Sequence, residues 1–455
     1  MSSYDVAIVG GGPAGTALAG ALAGLRRRVI VLECSTYAEP RPGETFGAEI
    51  SVALNALGAW DAMSRFLSRE LPYRSVRAAW YSDELEERPS IVHPLGEGWH
   101  VDRAAFDGAL AEWAEARGAI VRRGAGKCLA TRVDGGFRVT SARGAVDAAY
   151  FVDASGRGAP SSARLGLRRW VACDRQIGMM ARGRLASGDE ADLVLEAAED
   201  GWWYTVPQRD GGLVVAHVTD ADLMPASPRA TLADRFAAAL ARTRHTAARV
   251  GSLDAATLRI VRSDVGRVVP DRDRGVRLLG DAAMGGDPLG GNGVPRALRA
   301  AAEAAEEIHA ELDGAPFLPS RLDARFADYL DRRASYYRLQ TRWSDAPFWA
   351  RRRPPDWRSA ELTLDPDATL EWRRDLDPRA LAPCEALIAP RAIAALRAAL
   401  LRGPERAHVA LAAARPLAAP GDRRLVIGVQ ALIERGAIRA RATRRPLAAA
   451  GGRRA

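Results

Sequence analysis

Three glycines and one acid near the start of the chain have the spacing that holds a dinucleotide. Gly10-Gly11-Gly12-Pro13-Ala14-Gly15 is a GxGxxG run, and Glu33 follows 21 residues after Gly12. Each glycine has its own physical task. Gly10 permits a tight turn, Gly12 lets the main chain approach a pyrophosphate, and Gly15 allows a helix to pack close to a strand. Pro13 and Ala14 lead into that helix, whose N-terminal N–H groups and positive dipole end favour phosphate. Glu33 is placed to accept hydrogen bonds from ribose hydroxyls. NAD and FAD both satisfy this pattern.

Such residues act only if a strand, a turn, a helix and a second strand follow in order. Tyr4-Asp5-Val6-Ala7-Ile8-Val9 is a short apolar run suited to a buried parallel strand. Thr16 to Leu25, rich in Ala and Leu and carrying Gly20 and Gly24, reads as a closely packed helix. Val29-Ile30-Val31-Leu32 is the second strand and ends at Glu33. A related arrangement returns near residue 280. The strand Val276-Arg277-Leu278-Leu279 runs into Gly280-Asp281, then into a loop with Pro288, Gly291, Asn292 and Gly293, and an Ala-rich helix from Pro295 to Leu312 follows. This resembles the second FAD signature of glutathione-reductase-like flavoproteins. The resemblance assigns Asp281 to the ribityl chain of FAD, and Pro288 with Gly291 to Gly293 to the flavin edge. Reduction puts negative charge on that edge, where a helix N-terminus stabilises it. Val101-Asp102-Arg103-Ala104-Ala105-Phe106-Asp107 is similar to the family's R-x-x-F/L-D segment, which implies that Arg103 reaches the cofactor phosphates. Asp153-Ala154-Ser155-Gly156-Arg157 resembles the strand end that returns the chain to the FAD domain. A second GxGxxG after a strand is absent, so one dinucleotide site is expected, with electrons from transient NAD(P)H or from a separate flavin reductase.

Arg41-Pro42-Gly43-Glu44 resembles the RPGE loop of the tryptophan-halogenase-like monooxygenase branch, which implies that Arg41 contacts the cofactor and Glu44 the reacting centre. Gly201-Trp202-Trp203-Tyr204-Thr205-Val206-Pro207 is similar to the WxWxIP box of flavin-dependent halogenases, with Tyr204 replacing the second Trp and Val206 replacing Ile. Strand alternation puts Trp202 and Tyr204 on one face, Trp203 and Thr205 on the other. The substrate pocket is expected to hold Trp202, Tyr204 and His217, and the catalytic pair to be Glu44 and Asn292. Halogenases of this branch need a lysine on the strand after the RPGE loop. Ala78-Ala79-Trp80-Tyr81-Ser82-Asp83 has none, and the only lysine in the chain is Lys127. An arginine stays protonated and cannot replace an amine nucleophile. The resemblance therefore implies hydroxylation of an electron-rich aromatic ring by O₂ through a flavin C4a-hydroperoxide. Within this branch the chain looks like the peptidyl-tryptophan hydroxylases of quinone-cofactor biogenesis, which implies a tryptophan in a small protein or peptide as substrate. Alternatives are a small-molecule aromatic hydroxylase, a halogenase, a flavin reductase of the geranylgeranyl-reductase type and a flavin-bearing DNA-binding regulator.

Composition fits this reading. The 455 residues, 48% hydrophobic and 27% charged, exclude a disordered, collagen-like or disulfide-stapled chain. Four scattered cysteines, Cys34, Cys128, Cys173 and Cys384, suggest neither a metal site nor an oxidising compartment. With no apolar run of roughly 20 residues and no secretory start, a cytoplasmic protein is expected, free of the membrane. The net charge is +9, yet residues 391–455 hold 14 Arg against 3 acids, or +11, so the rest sums to −2.

The expected fold class is α/β: a glutathione-reductase-like Rossmann FAD domain, an inserted mixed or antiparallel β-sheet substrate domain, and a helical C-terminal extension with a winged-helix pattern. The FAD domain takes residues 1–75, 99–170 and 263–315, and the substrate domain takes 76–98 and 171–262. Residues 316–384 form a helical lid in which Phe326, Tyr329, Tyr336, Tyr337, Trp343, Phe348, Trp349, Trp357 and Trp372 interleave with Arg, with a loop at 351–356. Residues 385–455 form a basic module whose charge could steer DNA, a membrane surface or an acidic protein. The flavin chemistry needs a water-excluding roof, so a lid is preferred to nucleic-acid binding for the aromatic segment.

Overall fold

Val6, Ala7 and Ile8 are fully buried, which only a sheet covered on both faces allows. In the computed structural model the strand Tyr4–Val9 lies between two parallel neighbours, Val29–Leu32 and Gly144–Asp153. Ile120–Arg122 extends the sheet beyond Val29–Leu32, and Val276–Leu278 pairs in parallel with the end of Gly144–Asp153. The first half of that long strand turns into an antiparallel meander with Gly136–Ser141 and Leu129–Val133. Register has the main consequence. Val9 lies opposite Leu32 on one side and Asp153 on the other, and Asp153 lies opposite Leu278. The GxGxxG turn, Glu33, the Asp153–Arg157 segment and the Gly280-Asp281 loop therefore all leave one edge of one sheet. That is the edge at which open α/β sheets bind ligands.

The helices Pro13–Gly24, Arg103–Ala116 and Gly293–Leu312 share one core with this sheet. Gly20 is there because Trp113 is: a Cβ would lie 2.2 Å from the indole.

A second seven-stranded sheet has the order Val250–Arg262, Gln176–Leu185, Gly212–Asp220, Gly201–Pro207, Leu193–Ala198, Ser75–Ala79, Glu86–Pro89. Every pair is antiparallel except Leu193–Ala198 with Ser75–Ala79. One face packs Trp203, Met179 and Val215 against Phe236 of the helix Leu232–Leu240. The other face packs Trp202 and Trp80 against Tyr337 of the helix Leu322–Leu339 and against Phe348 and Trp349 beyond it. The expected α/β architecture, a Rossmann sheet with an inserted mixed sheet, is what the chain forms.

The chain divides into two compact units, Met1–Trp349 and Ala350–Ala455. In the second, Thr369–Trp372 is the central strand of an antiparallel sheet between Glu405–Arg406 and Ile438–Arg441. The helices Pro390–Leu401, Ala407–Ala414 and Asp422–Glu434 build its core around Ile388, Leu396, Leu425 and Leu432. Three helices and a basic strand are present in the expected order, and the middle strand comes from upstream of them. The structure describes residues 4–441 except 168–169, 187–190, 225–230, 269–274, 318–320, 354–360, 374–380, 386 and 419–421. Trp357, the Pro354-Pro355-Asp356 part of its loop and residues 442–455 lie outside the described residues. Among the described residues no helix is long and apolar enough to cross a membrane.

Candidate functional site

The three glycines of the first motif meet different surroundings. Gly10 has φ +104°, donates its N–H to the Leu32 carbonyl, and leaves a Cβ only 2.4 Å from the Ala154 oxygen. A Cβ on Gly15 would lie 2.0 Å from the Gly10 oxygen. A Cβ on Gly12 would meet no atom within 4 Å. The fold itself therefore demands Gly10 and Gly15, whereas Gly12 faces open space. Gly291, at φ +59°, and Gly293 face open space in the same way. The two loops are packed together, since a Cβ on Gly280 would lie 2.8 Å from the Ala14 Cβ.

Two helices begin here without side-chain caps. Pro13 opens the first behind Gly12, and the 20-residue helix Gly293–Leu312 begins behind Asn292, whose exposed amide does not cap it. Neither has an acid in its first turn, so their N–H groups and dipoles remain available to an anionic ligand. Open space at three glycines beside two uncapped helix ends fits a dinucleotide.

Around the Glu33 end, charge is tightly organised. The Glu33 carboxylate is 3% exposed and accepts from the Gly11 N–H at 2.6 Å, the Ser35 N–H at 3.0 Å, the Ser35 hydroxyl at 2.6 Å and Arg41 at 2.8 Å. Burial pushes its pKa up, but the Ser35 hydroxyl, the Arg41 guanidinium and the two N–H groups together hold it below the usual range. Arg41 also pairs with Asp107 at 2.7 Å and lies over the Tyr37 ring. Arg103 donates to Asp107 at 3.1 Å and to the Pro42 carbonyl at 2.7 Å. Asp107, fully buried, is therefore the joint that holds Arg41 and Arg103 together. The sequence displayed it as the last residue of the R-x-x-F-D segment without revealing that role. Asp281 pairs with Arg157 at 3.1 Å and faces Arg296 at 3.6 Å, with 41% of its side chain exposed. Arg157 also donates to the Gly286 carbonyl at 2.7 Å, bracing the loop that leads to Pro288.

The RPGE loop is held by its own acid. Gly43, at φ +98°, donates its N–H to the Glu44 carboxylate at 2.8 Å. Glu44 is buried, and burial raises its pKa against hydrogen bonds from the Gly43 and Glu44 N–H groups and the fields of Arg103 and Arg182. Tyr204 is pushed well above the usual phenol range by burial and, next, by the charge of Glu44. Tyr204 belongs to the aromatic wall that the mixed sheet presents. Trp202 continues the wall, donating its indole N–H to the Tyr337 hydroxyl at 3.1 Å, and Trp80 meets it edge-on at 6.3 Å.

His217 is separated from Trp202 and Tyr204. Its cross-strand neighbour is Trp203, on which it stacks at 4.4 Å and 5°, with Nε2 3.5 Å from the Asp200 carboxylate. It therefore lies on the opposite face of the sheet, under the helix Leu232–Leu240. Among the described residues no group of three or more His, Cys, Asp and Glu side chains could hold a metal.

A Rossmann sheet with two glycine-rich loops on one edge, joined to a mixed sheet with an aromatic face, is an architecture that fits an FAD-dependent oxidoreductase. The chain belongs to the FAD binding domain family, which it matches over residues 3–328, and its cofactor is FAD. It is 29% identical over 370 residues to LodB of Marinomonas mediterranea, named as an FAD-dependent oxidoreductase, covering 77% of this chain and 97% of that one. It is also 30% identical to a menaquinone reductase of Mycobacterium tuberculosis over 196 residues, 42% of this chain and 46% of that one. Two solved structures share the fold. The myxobacterial chondrochloren halogenase CndH has TM-score 0.66 and 23% identity, over 78% of this chain and 86% of its own. QhpG, a peptidyl tryptophan dihydroxylase essential for tryptophylquinone cofactor biogenesis, has TM-score 0.62 and 23% identity, over 83% and 85%.

Proposed function

We propose that the protein is a cytoplasmic flavin monooxygenase that hydroxylates an electron-rich aromatic ring. The ring we favour is the indole of a tryptophan in a small protein or peptide, modified on the way to a quinone cofactor. One observation carries hydroxylation over halogenation. The stretch Ala78-Ala79-Trp80-Tyr81-Ser82-Asp83, which leaves the strand Ser75–Ala79 and packs Trp80 into the aromatic wall, holds no lysine of the kind that halogenases of the branch need. Lys127 is exposed beside Leu129–Val133, an edge strand of the other sheet. The aromatic wall, the fold shared with QhpG and the branch resemblance support a tryptophan substrate.

FAD, when bound and reduced, supplies the activation of dioxygen. The chain must hold the cofactor, place the ring, exclude water and manage a proton. Gly10, Gly12, Pro13, Ala14 and Gly15 form the pyrophosphate turn, and Glu33 meets the ribose. Arg41 and Arg103, fixed by Asp107, line the cofactor, and Asp281 meets the ribityl chain. Pro288, Gly291 and Gly293 bring the second helix N-terminus to the flavin edge. Tyr204, partly buried, meets the ring, and Trp202, expected there from the sequence but 1% exposed and packed against Trp80 and Tyr337, backs it from behind. Glu44, its proton favoured by burial, protonates the oxygen that leaves as water, and the Asn292 amide orients polar groups at the reacting centre. NAD(P)H or a separate flavin reductase supplies the two electrons.

Aerobic incubation of the reduced enzyme with tryptophan peptides and with free indoles, read by intact mass, tests this. Oxygen added to a tryptophan peptide is expected. A chlorine isotope pattern, or oxygen on free indoles alone, would overturn the reading. Similarity to a menaquinone reductase favours a second reading, a flavin reductase acting on a quinone lipid. Oxidation of the reduced flavin by menaquinone without oxygen, together with no oxygen added to any ring, would establish that instead.

A further inference from the structure

Tyr329, Arg333 and Tyr337 recur every four residues on the helix Leu322–Leu339, so they share one face. All three reach the same residue, Asp287, which immediately precedes Pro288. The Asp287 N–H donates to the Tyr329 hydroxyl at 2.5 Å. Its carboxylate accepts from Arg333 Nε at 2.7 Å and from the Tyr337 hydroxyl at 2.8 Å. The other carboxylate oxygen accepts from the Leu289 N–H at 3.0 Å, fixing the first turn of the loop. Arg333 continues to Asp174 at 2.6 Å and to the Gln176 side chain at 2.9 Å. The Tyr337 hydroxyl in turn accepts from Trp202. Asp287 and Arg333 side chains are 2% and 9% exposed, so this charge set is shielded from solvent.

We infer that Tyr329, Arg333 and Tyr337 are positioning residues that act through Asp287 to hold the flavin-edge loop and to set the electrostatic potential felt there. The inference rests on the proposed role of residues 288–293. A carboxylate beside the edge that becomes negative on reduction opposes that reduction, and Arg333 and the Tyr337 hydroxyl offset it. Trp202, by donating to the Tyr337 hydroxyl, polarises that hydroxyl toward Asp287 and so links the aromatic wall to the loop.

The test is the midpoint potential of FAD bound to the full-length protein, with visible absorbance to verify one FAD per chain. Tyr337→Phe keeps the ring in its packed site but removes a donor from Asp287, so the potential falls. Arg333→Gln lowers it further, Arg333→Lys leaves it close to the parent value, and Asp287→Asn raises it. Opposite signs for Tyr337→Phe and Asp287→Asn are what mere loosening would not give. Where Asp287→Asn does not fold, a fall in Tyr337→Phe beside an unchanged Arg333→Lys serves the same end. Unchanged potentials, or shifts of one sign throughout, in variants that keep their FAD would overturn the inference. A parent protein that binds no FAD would instead overturn the site itself.

Discussion

At the scale of single residues, the site is built from groups whose charge state is set by burial against hydrogen bonding. Glu33 and Glu44 are both 3% exposed, yet their shifts are opposite. Glu33 has a guanidinium, a hydroxyl and two N–H groups on its oxygens, and together they outweigh the cost of desolvation. Glu44 has backbone N–H groups and more distant arginines, which do not. A carboxyl whose folded pKa is raised binds its proton more tightly in the folded state. Its penalty is absent below the unfolded pKa, grows as pH rises from the unfolded toward the folded value, and is constant above it. Glu44→Gln removes the ionisation and keeps an oxygen for the Gly43 N–H. The variant is therefore expected to gain thermal stability over the parent progressively across the range from the ordinary carboxyl pKa upward. Melting curves across that range check it, and a difference independent of pH would contradict the assignment of a raised pKa.

At the scale of elements, the strand–turn–helix at the N-terminus separates what folding requires from what binding requires. Gly10 and Gly15 are pinned by backbone contacts, so Gly10→Ala or Gly15→Ala is expected to destabilise the fold itself. A side chain at Gly12 meets only open space, where the proposed site puts the pyrophosphate. Gly12→Val is therefore expected to weaken FAD binding by about a hundredfold or more with little change in the melting temperature of the apoprotein. Fluorescence titration with FAD alongside apoprotein melting tests both halves. The sequence displayed this element in full because its geometry is local: three glycines, one acid and the apolar strands beside them decide it. The alternation that separates Trp202 from Trp203 was equally legible. The face taken by His217 was not, because parity between two strands depends on register, and the pairing of Trp203 with His217 is a property of the folded sheet. Asp107 was hidden for a related reason. Its partners lie on a loop 66 residues earlier as well as on its own helix, and no local spacing announces a contact of that range.

At the scale of the whole molecule, composition suggested more than the structure uses. The surplus of arginine toward the C-terminus invited a nucleic-acid reading, and the run of three helices and a strand resembled a module that reads a major groove with its third helix. That helix, Asp422–Glu434, is built into the core of its own unit. Leu425, Ile427, Val429 and Leu432 are buried, Arg424 donates to the Leu387 carbonyl, and Gly428 lies so close to Ile388 that a Cβ would come within 2.7 Å. A helix committed in this way has no face left to read base edges, and what remains is a field of exposed guanidinium groups. Such a field binds polyanions by releasing counterions, without regard to sequence. The full-length protein is therefore expected to bind a duplex and heparin with similar affinity, each falling about tenfold or more between about 50 and about 200 mM salt. Competition titrations at both salt concentrations decide the matter. A duplex that heparin fails to displace at the higher concentration would mean that the C-terminal unit presents a reading surface after all.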